Sequence, residues 1–172
     1  MPRRSNKVIF VPFCILCQSA KAMGLTEYYP AIVTPLVELL NDYNVNIVQM
    51  PCPEMLGEGL MREPHDISYY QRPDFERLCR ELALAQTNII EKFIADGFIA
   101  VGLIGIERSP SCSFGYVNKR GKLVVGNGVF MQALLELLNE NETEIIPISL
   151  DIKELETTLR VIEGRIRMLD NG

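Results

Sequence analysis

Ile99-Ala100-Val101-Gly102-Leu103-Ile104-Gly105-Ile106 is eight residues long and carries no polar side chain. A run of this length, ended by Glu107-Arg108 and preceded by Gly97, reads as a strand covered on both faces, as at the centre of a parallel sheet. Two further apolar runs fit beside it: Lys7–Phe13 and Val45–Met50. A fourth strand is expected over Glu144–Ser149. Helical periodicity fills the intervals. Pro30–Tyr43 places Ile32, Val33, Leu36, Val37, Leu39 and Leu40 on one broad stripe. Asp74–Ala95 does the same with Phe75, Leu78, Cys79, Leu82, Ile89, Ile90 and Phe93, and Gly97 is suited to end it in the left-handed conformation. A helix from about Gly128 to Asn139, capped by Asn127, and a charged helix from Asp151 to Leu169 complete the series.

Strands and helices that alternate in this way predict one three-layer α/β domain over residues 1–172: a mainly parallel, Rossmann-like or flavodoxin-like sheet of four or slightly more strands, with helices on both faces. Residues 1–6 are expected to be flexible. Two long loops, 51–73 and 107–127, leave the carboxyl ends of strands two and three. The second should hold a small hairpin around Asn118-Lys119-Arg120-Gly121. Compact domains seldom keep loops this long without a use.

Bulk properties narrow the function. The 172 residues are 48% hydrophobic and 23% charged, with a net charge of −5. That composition suits one soluble domain, and the acidic balance weighs against nucleic-acid binding, which needs a basic surface. The apolar run after Arg3-Arg4 is too short for a signal sequence or a membrane span, so a cytoplasmic protein without membrane partners is expected. An odd set of five cysteines in a reducing compartment favours packing, metal binding or catalysis over a disulfide framework.

Three of those cysteines follow strands. Cys14 comes after Val8–Phe13, Cys52 after Val45–Pro51, and Cys112 closes the stretch that begins at Ile99. Parallel strands bring their carboxyl ends to one edge, where open α/β sheets bind ligands, so three thiols are expected in one crevice. Pro12, Pro51, Pro53 and Pro110 restrain the backbone near them. Cys79 falls in the apolar stripe of a helix and reads as a small core hydrophobe. Cys14 and Cys17 form Cys-x-x-Cys, a spacing that zinc sites and thioredoxin-like sites share, but no second such pair is present. Glu54, two residues after Cys52, is the best-placed carboxylate. His65 is the only histidine.

Several segments together resemble one family. Val11-Pro12-Phe13-Cys14-Ile15-Leu16 is similar to the opening Ser-Ala-Cys-Leu-Leu segment of the DUF523 family. Cys52-Pro53-Glu54 resembles its Cys-Pro-Glu segment, with Gly59, Leu60 and Arg62 in the place of a following Gly-Leu and Arg. Ser109-Pro110-Ser111-Cys112 resembles its Ser-Pro-Ser-Cys segment, and Gly126-Asn127-Gly128-Val129 its Gly-Asp-Gly-Val helix start. The resemblance runs from about Lys7 to Leu138. Characterised members of that family are thiouracil desulfidases. The resemblance therefore implies a [4Fe-4S] cluster held by Cys14, Cys52 and Cys112, with an extra sulfide on the fourth, open iron. It also implies a small thiolated substrate such as a thiouracil-type compound.

On that footing Glu54 is expected to activate water or shuttle a proton, Ser109 and Ser111 to hydrogen-bond substrate or sulfur, and Arg62 to contact a polar substituent. The sequence departs from the family at Cys17, where a glycine is usual. It departs again at Ala22–Tyr29, which replaces an Arg-Tyr-Asp-Gly stretch. Two other classes stay open at this stage. One is a non-catalytic metal or electron-transfer module closed by Cys14, Cys17, Cys52 and Cys112. The other is a cysteine-nucleophile hydrolase with His65 or Glu54 as base.

Overall fold

The computed structural model describes residues 4–171. Its sheet has four strands: β1 (Lys7–Pro12), β2 (Asn46–Met50), β3 (Ile99–Ile106) and β6 (Pro147–Leu150), in the order β2-β1-β3-β6. All three pairings are parallel. The fold is thus a three-layer α/β domain with every carboxyl end on one edge. The chain builds β2 on one side of β1 and then crosses to place β3 on the other, so the switch point lies at the ends of β1 and β3. The connections that leave β1 and β3 run to opposite faces of the sheet and leave a crevice between them.

Each face of the sheet is covered. On one side Val8, Phe10 and Leu103 join Phe75, Cys79 and Ile90 of α5 (Pro73–Ala95) and Phe130 and Leu134 of α6 (Val129–Glu140). On the other, Ile9, Val11, Ile104 and Ile148 meet Leu36 and Leu40 of α2 (Thr34–Asp42) and Ile162 and Ile166 of α7 (Leu155–Asp170). Val101 is passed over in the register between Val8↔Ala100 and Ile9↔Gly102. This bulge turns Val101 into the same layer as Ile104, although strict alternation would oppose them.

Several boundaries differ from the sequence-based expectation, each for a local reason. The stretch 51–73 holds two short helices, α3 (Pro53–Glu58) and α4 (Ile67–Tyr70), after α1 (Phe13–Leu16) earlier in the chain. Pro53 and Pro73 act as first-turn helix residues rather than breakers, because the amide they lack has no helical partner there. Residues 30–33 stay outside α2, with the Val33 amide donating to the Ile15 carbonyl at 2.9 Å. Asn127 does not cap α6. Gly128 holds that position, while Asn127 accepts from the Gly115 amide at 3.0 Å. Asp151 accepts from the Lys153 amide at 2.9 Å, and this turn delays α7 to Leu155. On α5, Ile89 faces solvent, and Ala83, Gln86 and Thr87 are buried in its stead.

Other expectations match. Gly97 has φ +81 beyond α5. The hairpin forms from β4 (Tyr116–Lys119) and β5 (Lys122–Val125), with Arg120 and Gly121 at φ +51 and +74 in the turn. Cys79 is fully buried in the core. Of the N-terminal residues expected to be flexible, 1–3 lie outside the described residues. Asn6 accepts from the Ile99 amide at 2.7 Å.

Two glycines let the loop carrying Cys112 approach the sheet. A Cβ on Gly105 would lie 2.5 Å from the Phe114 ring and 2.7 Å from the Cys112 carbonyl. A Cβ on Gly128 would lie 2.3 Å from the Ser111 carbonyl carbon, a backbone atom that cannot swing away. Gly128→Ala is therefore expected to cost about 3 kcal/mol in urea denaturation, through overpacking. Gly164, exposed within α7 with nothing near its missing Cβ, is the control. Gly164→Ala should raise stability by about 0.5–1 kcal/mol, because alanine loses less backbone freedom in a helix. Equal effects of the two changes would contradict this packing.

Candidate functional site

At the carboxyl edge the crevice opens into a cavity of about 400 Å³. Cys14, Cys52 and Cys112 all line it, together with Glu54, Ser109 and Ser111. A larger groove of about 700 Å³ between α5 and α6 holds no cysteine.

Each thiol is delivered differently. Pro12 ends β1, and the chain turns at once into α1, which places Cys14 in a single helical turn. The Gln18 side-chain amide donates to the Cys14 carbonyl at 2.6 Å and closes that turn. Cys52 caps α3, its sulfur accepting the Met55 amide at 3.4 Å. Cys112 sits in a turn organised by Ser109, whose hydroxyl accepts the Cys112 amide at 3.0 Å and the Ser111 amide at 3.4 Å. Ser109 thus supports the backbone that carries Cys112. Cys17, half-buried between α1 and the turn Gln18–Ala20, stands outside the cavity lining.

Glu54 is the centre of the polar wall. One carboxylate oxygen accepts the Ser111 hydroxyl at 2.5 Å. The other accepts Nε of Arg62 and the Tyr70 hydroxyl, both at 3.3 Å. Arg62 is 8% exposed, and its other two nitrogens donate to the Gly59 and Ala20 carbonyls at 3.1 and 2.7 Å. Each guanidinium nitrogen thus has a partner, and together they hold Glu54 and the segments of Gly59 and Ala20. Such a buried pair is strong only when its remaining groups are satisfied, as they are here. His65 borders the cavity with its ring stacked on Tyr69, centroids 3.8 Å apart.

The thiols are protonated in this setting. Burial pushes Cys14 from 9.0 to about 12, the neighbouring Cys52 adds to the rise, and Lys21 opposes it. Burial also raises Cys52, against the Met55 amide, which favours the thiolate. Cys112 is raised well above its ordinary value by burial and then by Cys52. Each thiol therefore lies within electrostatic reach of another. Burial and the Glu54 charge push the Tyr70 hydroxyl up as well, so it stays a donor.

This donor set can be tested against the metal centre that the family resemblance implies. Among the described residues, no three His, Cys, Asp or Glu side chains are gathered tightly enough to hold a single ion. A lone tetrahedral metal draws its thiolates to roughly 4 Å from one another, given metal–sulfur bonds near 2.3 Å. A cluster with one thiolate on each of three irons needs thiols set around a space. Three thiols on three strand ends, facing one cavity with a backbone amide on one sulfur, fit that second demand.

Sequence reasoning named the three cysteines, Glu54, Ser109, Ser111 and Arg62, and the fold brings all of them to one cavity. It missed Tyr70, Lys21 and the rim made by Glu107, Arg108 and Asp151. Arg108 has φ +66 and donates to Asp151 at 2.6 Å, and Glu107 is raised chiefly by its hydrogen bond with Asp151. Tyr70 lies among mainly polar neighbours, from His65 to Arg72, so its burial and its bond to Glu54 left no local signal.

Among the described residues, no helix is long and apolar enough to cross a membrane. No family model matches the chain. No solved structure matches it. An uncharacterized protein of Methanocaldococcus jannaschii is 29% identical over 109 residues, which span 63% of this chain and 69% of the archaeal one.

Proposed function

We propose that the protein is an iron–sulfur-dependent desulfidase that removes sulfur from a small thiolated heterocycle, of the thiouracil type, by substitution without net redox change. The observation that carries this reading is the meeting of Cys14, Cys52 and Cys112 around one cavity with the Glu54–Ser111 pair. Cys14, Cys52 and Cys112 would hold a [4Fe-4S] cluster. Such a cluster, with one iron free of protein thiolate, supplies a soft Lewis acid for a thiocarbonyl sulfur. Cys17 lies outside the cavity lining, which supports an open centre over one closed by four cysteines.

The chain's own residues supply the rest. Leu25, Tyr28 and Ile152 give the cavity apolar surface against which a flat ring can lie. Glu54 takes a proton from the water that adds to the ring carbon. Ser111 holds that carboxylate from the substrate side, and Arg62 and Tyr70 hold it from behind. Overall, thiocarbonyl and water give carbonyl, hydrosulfide and one proton; the carbon–sulfur bond breaks with its electron pair leaving on sulfur. Arg62 acts by positioning Glu54, and Ser109 by shaping the Cys112 turn. Five unpaired cysteines suit a reducing compartment, and we place the reaction in the cytoplasm. The substrate is a small molecule; neither nucleic acid nor membrane takes part.

Two measurements test this. Anaerobically loaded protein should release sulfide from 2-thiouracil, and Glu54→Gln, compared per iron bound, should slow that release about 100-fold. A full rate in Glu54→Gln would remove Glu54 from the chemistry. Loading should also depend on pH. The three thiols are raised above 9.0, so each must lose a proton to become a ligand. Apparent iron affinity of the metal-free protein should therefore increase as pH rises from about 6.5 to 8.5, by up to about tenfold per unit for each thiol. Affinity that stays flat over this range would contradict thiolate ligation.

A further inference from the structure

Lys21 is held in place by its backbone, while its charge enters no ion pair among the described residues. Its amide donates to the Gln18 carbonyl at 3.0 Å, and the Gln18 side chain donates to the Cys14 carbonyl at 2.6 Å. On the other side Arg62 clamps the same segment twice, donating to the Ala20 carbonyl at 2.7 Å and accepting the Met23 amide at 3.0 Å. The Lys21 backbone is thereby tied to the segments that carry Cys14 and Glu54. It is half-buried on the cavity wall.

The cations around the cavity differ in what they face. Arg62 is paired with Glu54, and Arg108 with Asp151. Lys153 is exposed. Lys21 enters none of the ion pairs found among the described residues. Glu27, the nearest carboxylate along its own segment, is exposed on the cavity rim. Lys21 and Cys14 line the same cavity, and the Lys21 charge opposes the rise that burial imposes on the Cys14 thiol. A cation on the wall of a cavity lined by three thiols, in no ion pair among the described residues, is a ready site for an anion.

We infer that Lys21 supplies an anion subsite beside Cys14 that takes small anionic sulfur, the hydrosulfide set free when the carbon–sulfur bond of the substrate breaks. The identity of the anion rests on the desulfidase reading; the subsite does not. When water adds to the ring carbon and the electron pair leaves with sulfur, negative charge grows on that sulfur. The attraction of a nearby cation is stronger in the transition state than in the neutral ground state, so it lowers the barrier rather than merely holding substrate.

The subsite is tested in the metal-free protein by alkylating Cys14 at alkaline pH with iodoacetate, an anion, and iodoacetamide, which is neutral, and reading site-specific rates by peptide mass spectrometry. The ratio of the two rates cancels the thiolate fraction and reports the local field. In the native chain the ratio at Cys14 should exceed that at Cys17. Lys21→Met should lower it about fivefold at low salt, and Lys21→Arg, which keeps the charge, should hold it within about twofold. An unchanged ratio in Lys21→Met overturns the subsite. In loaded protein, Lys21→Met should lower kcat for sulfide release at least about tenfold with little change in KM, and Lys21→Arg should restore part of it. A normal kcat would overturn the assignment of hydrosulfide as the anion. If native protein releases no sulfide yet the alkylation ratio still falls in Lys21→Met, the desulfidase reading fails and the anion subsite stands.

Discussion

The buried carboxylate of Glu54 is the interaction on which the cavity depends. Through its two oxygens it joins α3 to Ser111 in the Cys112 turn, to Tyr70 in α4 and to Arg62. Arg62 passes the connection on to Ala20, beside the turn that carries Cys14. The three segments that bear the thiols are thus tied to one side chain. A charge this deep persists only with its partners in place, since removing one partner leaves the other charge uncompensated. Glu54 is at once the link between walls and a carboxylate on the cavity lining.

Around that link the backbone is arranged to bring sulfur inward. The parallel sheet puts the ends of β1, β2 and β3 on one edge, and the crossover from β2 to β3 opens the crevice between β1 and β3. Gly105 and Gly128 then allow the Cys112 turn to settle against strand and helix at distances a side chain would forbid. The same burial that holds the thiols in place keeps them protonated in the metal-free chain. Folding and ligand readiness therefore pull in opposite directions, and a bound metal centre would offset the cost of deprotonation.

Much of this was legible from residue order. An eight-residue apolar run marked the central strand, and strand ends placed Cys14, Cys52 and Cys112 together, while helical period sent Cys79 to the core. Other features were hidden for physical reasons. Prolines at 53 and 73 read as loop residues because sequence does not show whether a proline breaks a helix or begins one. Asn127 looked like a cap, but a tertiary bond to Gly115 claimed its side chain. Tyr70 owes its role to its bond with Glu54, and the segment of Lys21 is held by the distant Arg62, which no local pattern records. Arg62 was expected to face substrate; its guanidinium is instead spent on Glu54 and two carbonyls.

The central claim is that three cysteines, and not four, hold a cluster with one open iron. Iron and acid-labile sulfide per chain, measured after anaerobic loading of the native protein, Cys17→Ala and Cys112→Ala, test it most directly. The native protein and Cys17→Ala should each hold about four irons and about four to five sulfides, and Cys112→Ala should lose most of both. Loss of iron in Cys17→Ala as complete as in Cys112→Ala would mean a closed site and contradict the open centre.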